Sequence, residues 1–170
     1  EGESIRYWCE GNIAAEENYC DGFLATGRYY NTAGECIAHI DEGNGIRAIF
    51  SKTAISEFQE YRNGVLDGKI TVFDKYGRIA KYYHMKNNSK QGEEVIFYDA
   101  PRLKKMLTPK ISITWFDGKI QGQVKTWYEN GIQESQKEMN NNRKSGHSTV
   151  WYDDGSLMMI EEYNQDKLVK

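Results

Sequence analysis

The sequence predicts an all-β chain, an elongated antiparallel sheet of stacked β-hairpin repeats about 24 residues long with a divergent N-terminal cap. Three observations carry this. The 170 residues include 16 Gly but only 2 Pro, beside 12 Tyr, 6 Phe and 4 Trp, a composition that favours short strands joined by tight turns. Gly45, Gly68, Gly92, Gly122 and Gly146 are separated by 23, 24, 30 and 24 residues, and the fifth residue after each is aromatic: Phe50, Phe73, Phe97, Trp127 and Trp151. With 13% aromatics, five matches out of five would arise by chance roughly four times in a hundred thousand, so the period belongs to the chain.

Residues 1–44 read as a separate, acidic cap. They hold nine carboxylates (Glu1, Glu3, Glu10, Glu16, Glu17, Asp21, Glu35, Asp41 and Glu42) against Arg6 and Arg28, a balance of −7 that leaves +4 for the rest of a chain at −3. Spread over 126 residues, +4 makes no clustered basic surface, so nucleic acid is set aside as a partner. Cys9, Cys20 and Cys36 all lie in this segment, at spacings of 11 and 16 that match no CxxC motif. They allow at most one intramolecular disulfide, a staple in an exported chain, or else are ordinary thiols. The sequence opens on Glu1 rather than Met, which implies removal of an upstream segment and is compatible with a cytoplasmic or an exported chain.

Five repeats are expected over 45–170, starting at 45, 68, 92, 122 and 146. A second glycine follows nine residues after the first in three of them, at Gly77, Gly131 and Gly155. Asn130-Gly131 and Asp154-Gly155 predict two-residue hairpin turns with positive φ at both positions. A further column, Gly64, Asn88, Gly118, Asn142 and Asp166, holds residues that tolerate the left-handed region and predicts a second turn between units. Along the first strand, alternation places the five aromatics on one face and Ile49, Val72, Ile96, Thr126 and Val150 on the other. The returning strand repeats apolar residues every third position, as in Leu157, Ile160 and Tyr163, which predicts a bulge. The unit at Gly92 has Pro101 in place of the hairpin glycine and six extra residues, an insertion around 101–110.

Segments such as Trp127-Tyr128-Glu129-Asn130-Gly131, Trp151-Tyr152-Asp153-Asp154-Gly155 and Tyr61-Arg62-Asn63-Gly64-Val65-Leu66-Asp67-Gly68 resemble MORN repeats, in particular the bacterial variant carried by YwqK-like proteins labelled antitoxins. The resemblance covers about residues 45–169, with a weaker echo at Tyr29–Gly34. It implies antiparallel hairpins stacked edge to edge. It also implies association with protein partners, further copies or lipid headgroups, and it carries over no catalytic residue.

Chemistry-bearing motifs are missing from the sequence. No GxSxG, P-loop, HExxH or Rossmann glycine pattern occurs, and His39, His84 and His147 share no ligand spacing, so no catalytic, cofactor or metal site is expected. Binding is the class left. Tyr98, Tyr128 and Tyr152, each one residue beyond the aromatic column, should emerge in register, with Arg102, Lys104, Lys105 and Lys110 nearby. This set is either a contact surface, since Tyr and Arg are enriched at hot spots, or a ladder packed by neighbouring units. The reading is a non-catalytic module for protein–protein interaction or self-association through an extended β-sheet face. The alternatives are an antitoxin or immunity protein that neutralises a cognate toxin, and peripheral binding to anionic membranes through the basic insertion. After Tyr163 only a polar Asn-Gln-Asp-Lys tail follows, so the edge there is capped by that tail, continued by more chain, or used for pairing.

Overall fold

A computed structural model describes residues 1–99 and 107–169; Arg102, Lys104 and Lys105 of the expected contact surface lie outside the described residues. Within them no residue is helical, and sixteen strands form one open antiparallel sheet. Hairpins follow one another along the chain: β1 (Gly2–Tyr7) with β2 (Ile13–Cys20), β3 (Phe23–Tyr30) with β4 (Cys36–Asp41), β5 (Asn44–Phe50) with β6 (Ile55–Arg62), and β7 (Val65–Phe73) beside β8 (Ile79–Lys86). After the two-residue β9 (Ser89–Lys90) come β10 (Gly92–Phe97) with β11 (Pro109–Phe116), β12 (Lys119–Trp127) with β13 (Gln133–Asn140), β14 (Arg143–Trp151) with β15 (Leu157–Asn164), and the short β16 (Lys167–Leu168). Strand order follows chain order, with β9 beside β8 off the main path.

The turn assignments are partly exchanged relative to expectation. Both-positive dipeptides occupy the turns between hairpins: Asn63-Gly64 (φ 50° and 76°), Asn87-Asn88 (49° and 60°), Asp117-Gly118 (47° and 72°), Asn141-Asn142 (50° and 69°) and Gln165-Asp166 (51° and 67°). At the hairpin tips, Asn130 and Asp154 do not adopt positive φ; only Gly131 (89°) and Gly155 (85°) do. There a β-turn closed by Gly131 N–H to Tyr128 C=O (2.9 Å) is followed by the left-handed glycine, and Tyr128 N–H reaches Ile132 C=O (2.9 Å). This three-residue loop with a glycine bulge suits Asn130 and Asp154 better, because their side chains accept from the backbone N–H two residues on, Ile132 (2.9 Å) and Ser156 (2.8 Å). The bulge on the returning strand is present. Trp127 pairs with Gln133 and Thr126 with Ser135, which leaves Glu134 as the extra residue; Met158 is its counterpart between the pairs Trp151↔Leu157 and Val150↔Met159.

Residues 1–44 share this backbone plan. Gly11 and Gly34 close the same tip turn onto Trp8 and Asn31 (2.9 and 3.0 Å) as Gly77, Gly131 and Gly155 do onto theirs. Tyr7 and Tyr30 sit at the same register shift as Phe50 and Trp127. Their divergence lies in the side chains and in a shortened β4, which turns into β5 with Ile40 opposite Gly45 and Asp41 opposite Asn44.

Two compact units divide the molecule, Glu1–Ile79 with Met85–Asn88, and Ala80–His84 with Ser89–Lys170. In the first, Trp8 at the end of β1 and Phe50 at the end of β5 bring their rings to 4.8 Å in an edge contact. Four strand steps in a flat sheet would hold those ends about 19 Å apart, so this unit's sheet curls. The curl encloses a small core of Ala15, Leu24, Tyr29, Ala38, Ile40 and Ala48. In the second unit the buried positions are mostly small and polar, Ser112, Ser135 and Ser148 beside Val95 and Glu94. They are satisfied locally: Ser112 donates to Glu93 (2.9 Å), and the hydroxyls of Thr126 and Ser135 lie 2.7 Å apart.

Candidate functional site

The residue one beyond the aromatic column stitches adjacent hairpins. Tyr98 donates its hydroxyl to the Trp127 carbonyl (2.6 Å) and Tyr128 to the Trp151 carbonyl (2.9 Å). Trp8 makes the equivalent bond from Nε1 to the Tyr30 carbonyl (3.2 Å). Of the four cations expected beside this column, Lys110 is described, and its ammonium stands 5.5 Å from the Tyr98 ring centroid. Tyr98 and Tyr128 are therefore committed within the sheet. Tyr152 is 49% exposed, and its hydroxyl has no hydrogen bond among the described residues.

Glycines of the first-strand column make room for a second link. Gly68 and Gly146 adopt φ of 136° and 110°, and a Cβ on either would collide with the carboxylate of Glu60 or Glu138. Those carboxylates accept from the next backbone N–H, Lys69 (3.0 Å) and His147 (3.3 Å). β6 and β13 so grip the hairpins that follow them through a backbone ladder and one carboxylate each.

Beyond β15 this pattern stops. β16 pairs with β15 only at Tyr163↔Leu168 and Asn164↔Lys167, and Val169 N–H reaches Glu162 C=O (2.8 Å). Leu157–Glu161 have no strand on their outer side among the described residues. Leu157 (54%), Met158, Met159 and Ile160 (58%) are all exposed there, a continuous apolar run. The periodicity does not single out this run, because Leu157 and Ile160 fit the same apolar columns as the returning strands that are covered.

Polar clusters elsewhere are saturated. In the first unit Glu17 accepts from Arg47 Nε (2.7 Å) and Nη2 (3.0 Å) and from the hydroxyls of Tyr19 (2.7 Å) and Tyr29 (2.9 Å). Burial alone would raise the Glu17 carboxyl, but Arg47 and the two hydroxyls outweigh it and hold it below its ordinary 4.5. Burial and the adjacent Glu17 push the Tyr29 phenol up. No proton in this network is poised to move near neutrality. Local sequence offered no signal for it, since Glu17 and Arg47 are 30 residues apart.

A groove of about 420 Å³ in the first unit is lined by Trp8, Ile55, Phe58, Phe73 and small neighbours, with no acid, base or histidine among its lining residues. His39 lies 3.6 Å from Asp41, His84 bonds the Glu93 backbone at 3.2 Å, and the His147 N–H meets Glu138, so each histidine has separate neighbours. Cys9, Cys20 and Cys36 are exposed free thiols. Glu1, Cys20 and Asp21 approach one another closely enough to share an ion, but all three are exposed acidic-segment residues with nothing further to mark a site. No protein-family model matches the chain, and no curated protein matches it.

Proposed function

We propose that the chain is a non-catalytic interaction module of the MORN-like repeat type, which binds another polypeptide by strand addition at the outer edge of β15. The observation that carries this reading is the exposed run Leu157–Ile160 on a strand with open backbone donors and acceptors. Natural sheets protect such edges with charge, Pro or a covering segment, and here four successive apolar side chains occupy it instead. Strand addition supplies affinity through main-chain hydrogen bonds and specificity through alternate side chains. The glycine and aromatic columns support the MORN-like assignment. The carboxylates and histidines, each held by local partners or exposed, support a role without catalysis.

The test is photo-crosslinking in cells from a reactive residue placed at Met159, with exposed Lys52 as the control position. The proposal expects a discrete adduct from 159 and none from 52. Absence of any adduct at 159, or equal labelling from both positions, overturns it.

A further inference from the structure

We infer that the occupant of the β15 edge is strand β1 of a second copy of this chain, paired head to tail. The inference rests on the β15-edge reading and names its partner. Inside the chain, β3, β7, β10, β12 and β14 each lie against the returning strand before them in one register, and β5 on β4 departs from it, with Ile40 opposite Gly45. In the shared register Ser135 faces Val150, Gln136 faces Thr149 and Lys137 faces Ser148; likewise Glu57 faces Val72 and Phe58 faces Thr71. β1 is a first strand by the same criteria. It carries the column glycine, Gly2, at φ 146°, close to Gly45 (140°) and Gly68 (136°), and it reaches the column aromatic, Tyr7, five residues later. Among the described residues β1 pairs with β2 alone, and all six of its residues are exposed.

Placing β1 on β15 in the repeat's own register sets Met159 opposite Arg6, Ile160 opposite Ile5 and Glu161 opposite Ser4; Glu1 then takes the position from which Val169 N–H reaches Glu162 C=O, so Val169 gives way to it. Ile160 and Ile5, 58% and 47% exposed, then cover each other. Two further groups find partners in the same placement. The Tyr152 hydroxyl meets the Tyr7 carbonyl, as Tyr128 meets Trp151. Glu162 meets the Glu3 N–H, as Glu138 meets His147 and Glu60 meets Lys69. One register thus serves an apolar pair, an open hydroxyl and an open carboxylate, none of which was used to choose it. The contact is heterologous, so among the described residues a pair of copies still presents one unpaired edge of each kind, and assembly continues past a dimer.

Sedimentation velocity of the full chain over a wide concentration range tests this. The wild type should grow past the dimer as concentration rises. Ile160→Lys and Ile5→Glu should each weaken association about tenfold or more, because a charge then meets an apolar partner in a desolvated contact. The double variant should restore association through the new Lys–Glu pair, whereas Ile160→Lys with Ile5→Lys should not. Tyr152→Phe, which leaves the fold's own bonds intact, should weaken association without changing the circular dichroism spectrum, so the inference stays testable if a charged variant misfolds. A chain that remains monomeric throughout, an assembly that stops at a dimer indifferent to Ile5→Glu, or a double variant no better than its parents overturns the inference. An adduct from position 159 with a different protein, alongside monomeric sedimentation, rejects the second-copy partner while the β15-edge reading stands; no adduct rejects both.

Discussion

Replacing Glu17 by Gln removes one charge from the curled first unit while keeping the side chain's shape and a hydrogen-bond acceptor. The Glu17 side chain is 10% exposed and that of Arg47 25%, so the substitution leaves a largely buried guanidinium facing a neutral amide. Breaking a buried pair by removing one partner costs about 3–5 kcal/mol. Arg47 keeps its bonds to the hydroxyls of Tyr61 (3.2 Å) and Tyr19 (3.0 Å) and some access to water, which places the cost nearer about 2–3 kcal/mol. Amide exchange read at Leu24–Tyr29 of β3 should then accelerate about 30- to 150-fold at neutral pH. Because the folded-state carboxyl is held below its ordinary 4.5, its contribution is complete above that value and is lost as pH falls through the folded-state value. The gap between wild type and Glu17→Gln should therefore close on acidification below about 4.5. Arg47→Met in the same cycle should show a coupling of about 1.5 kcal/mol or more with Glu17→Gln. Additive single effects, or a gap that persists unchanged into acid, would refute the reasoning.

Three further outcomes are expected. Gly68→Ala and Gly146→Ala should each destabilise by about 1–3 kcal/mol in denaturant unfolding, since both a positive φ and a carboxylate in the Cβ position oppose them; Gly77→Ala, with open space at the Cβ, should lose only about 1 kcal/mol. Tyr128→Phe deletes the hydroxyl bond to Trp151 and should cost about 1 kcal/mol, whereas Tyr152→Phe should leave dilute-solution stability unchanged. Asn142→Val puts a β-branched residue at φ 69° and should lower the thermal midpoint, by about 1–3 kcal/mol of stability, more than Asn142→Gly does.

Much of the architecture was legible because turns and bulges are stereochemical demands that only a few residue types meet. Gly64, Asn88, Gly118, Asn142 and Asp166 all adopt the positive φ that their residue types imply. The exchange of turn types arose because Asn-Gly suits either a two-residue turn or a bulged three-residue loop, and only the closing register distinguishes them. The first hairpin of the acidic segment keeps the template spacing, with Gly2, Tyr7 and Gly11 at positions 1, 6 and 10 of a unit. Its acidic residues and cysteines differ from those of the later units, so the shared spacing lies under a different composition. The second is harder to see, because Ala25 stands where the column glycine would be, although Tyr30 and Gly34 hold their places. For the candidate site, residue types identified the tyrosine column but not its use. Tyr98, Tyr128 and Tyr152 are equivalent in sequence, and among the described residues a carbonyl of the following hairpin meets the first two. The Glu17–Arg47 pair depends on curl, a property of the assembled sheet that no local pattern encodes.

Amide hydrogen exchange of Leu157–Glu161, compared between dilute and concentrated solutions of the intact chain, tests the central claim most directly. An edge that binds another copy predicts fast exchange when dilute and protection that grows with concentration, together with matching protection in Gly2–Tyr7. Exchange at both strands that is fast and independent of concentration would contradict it.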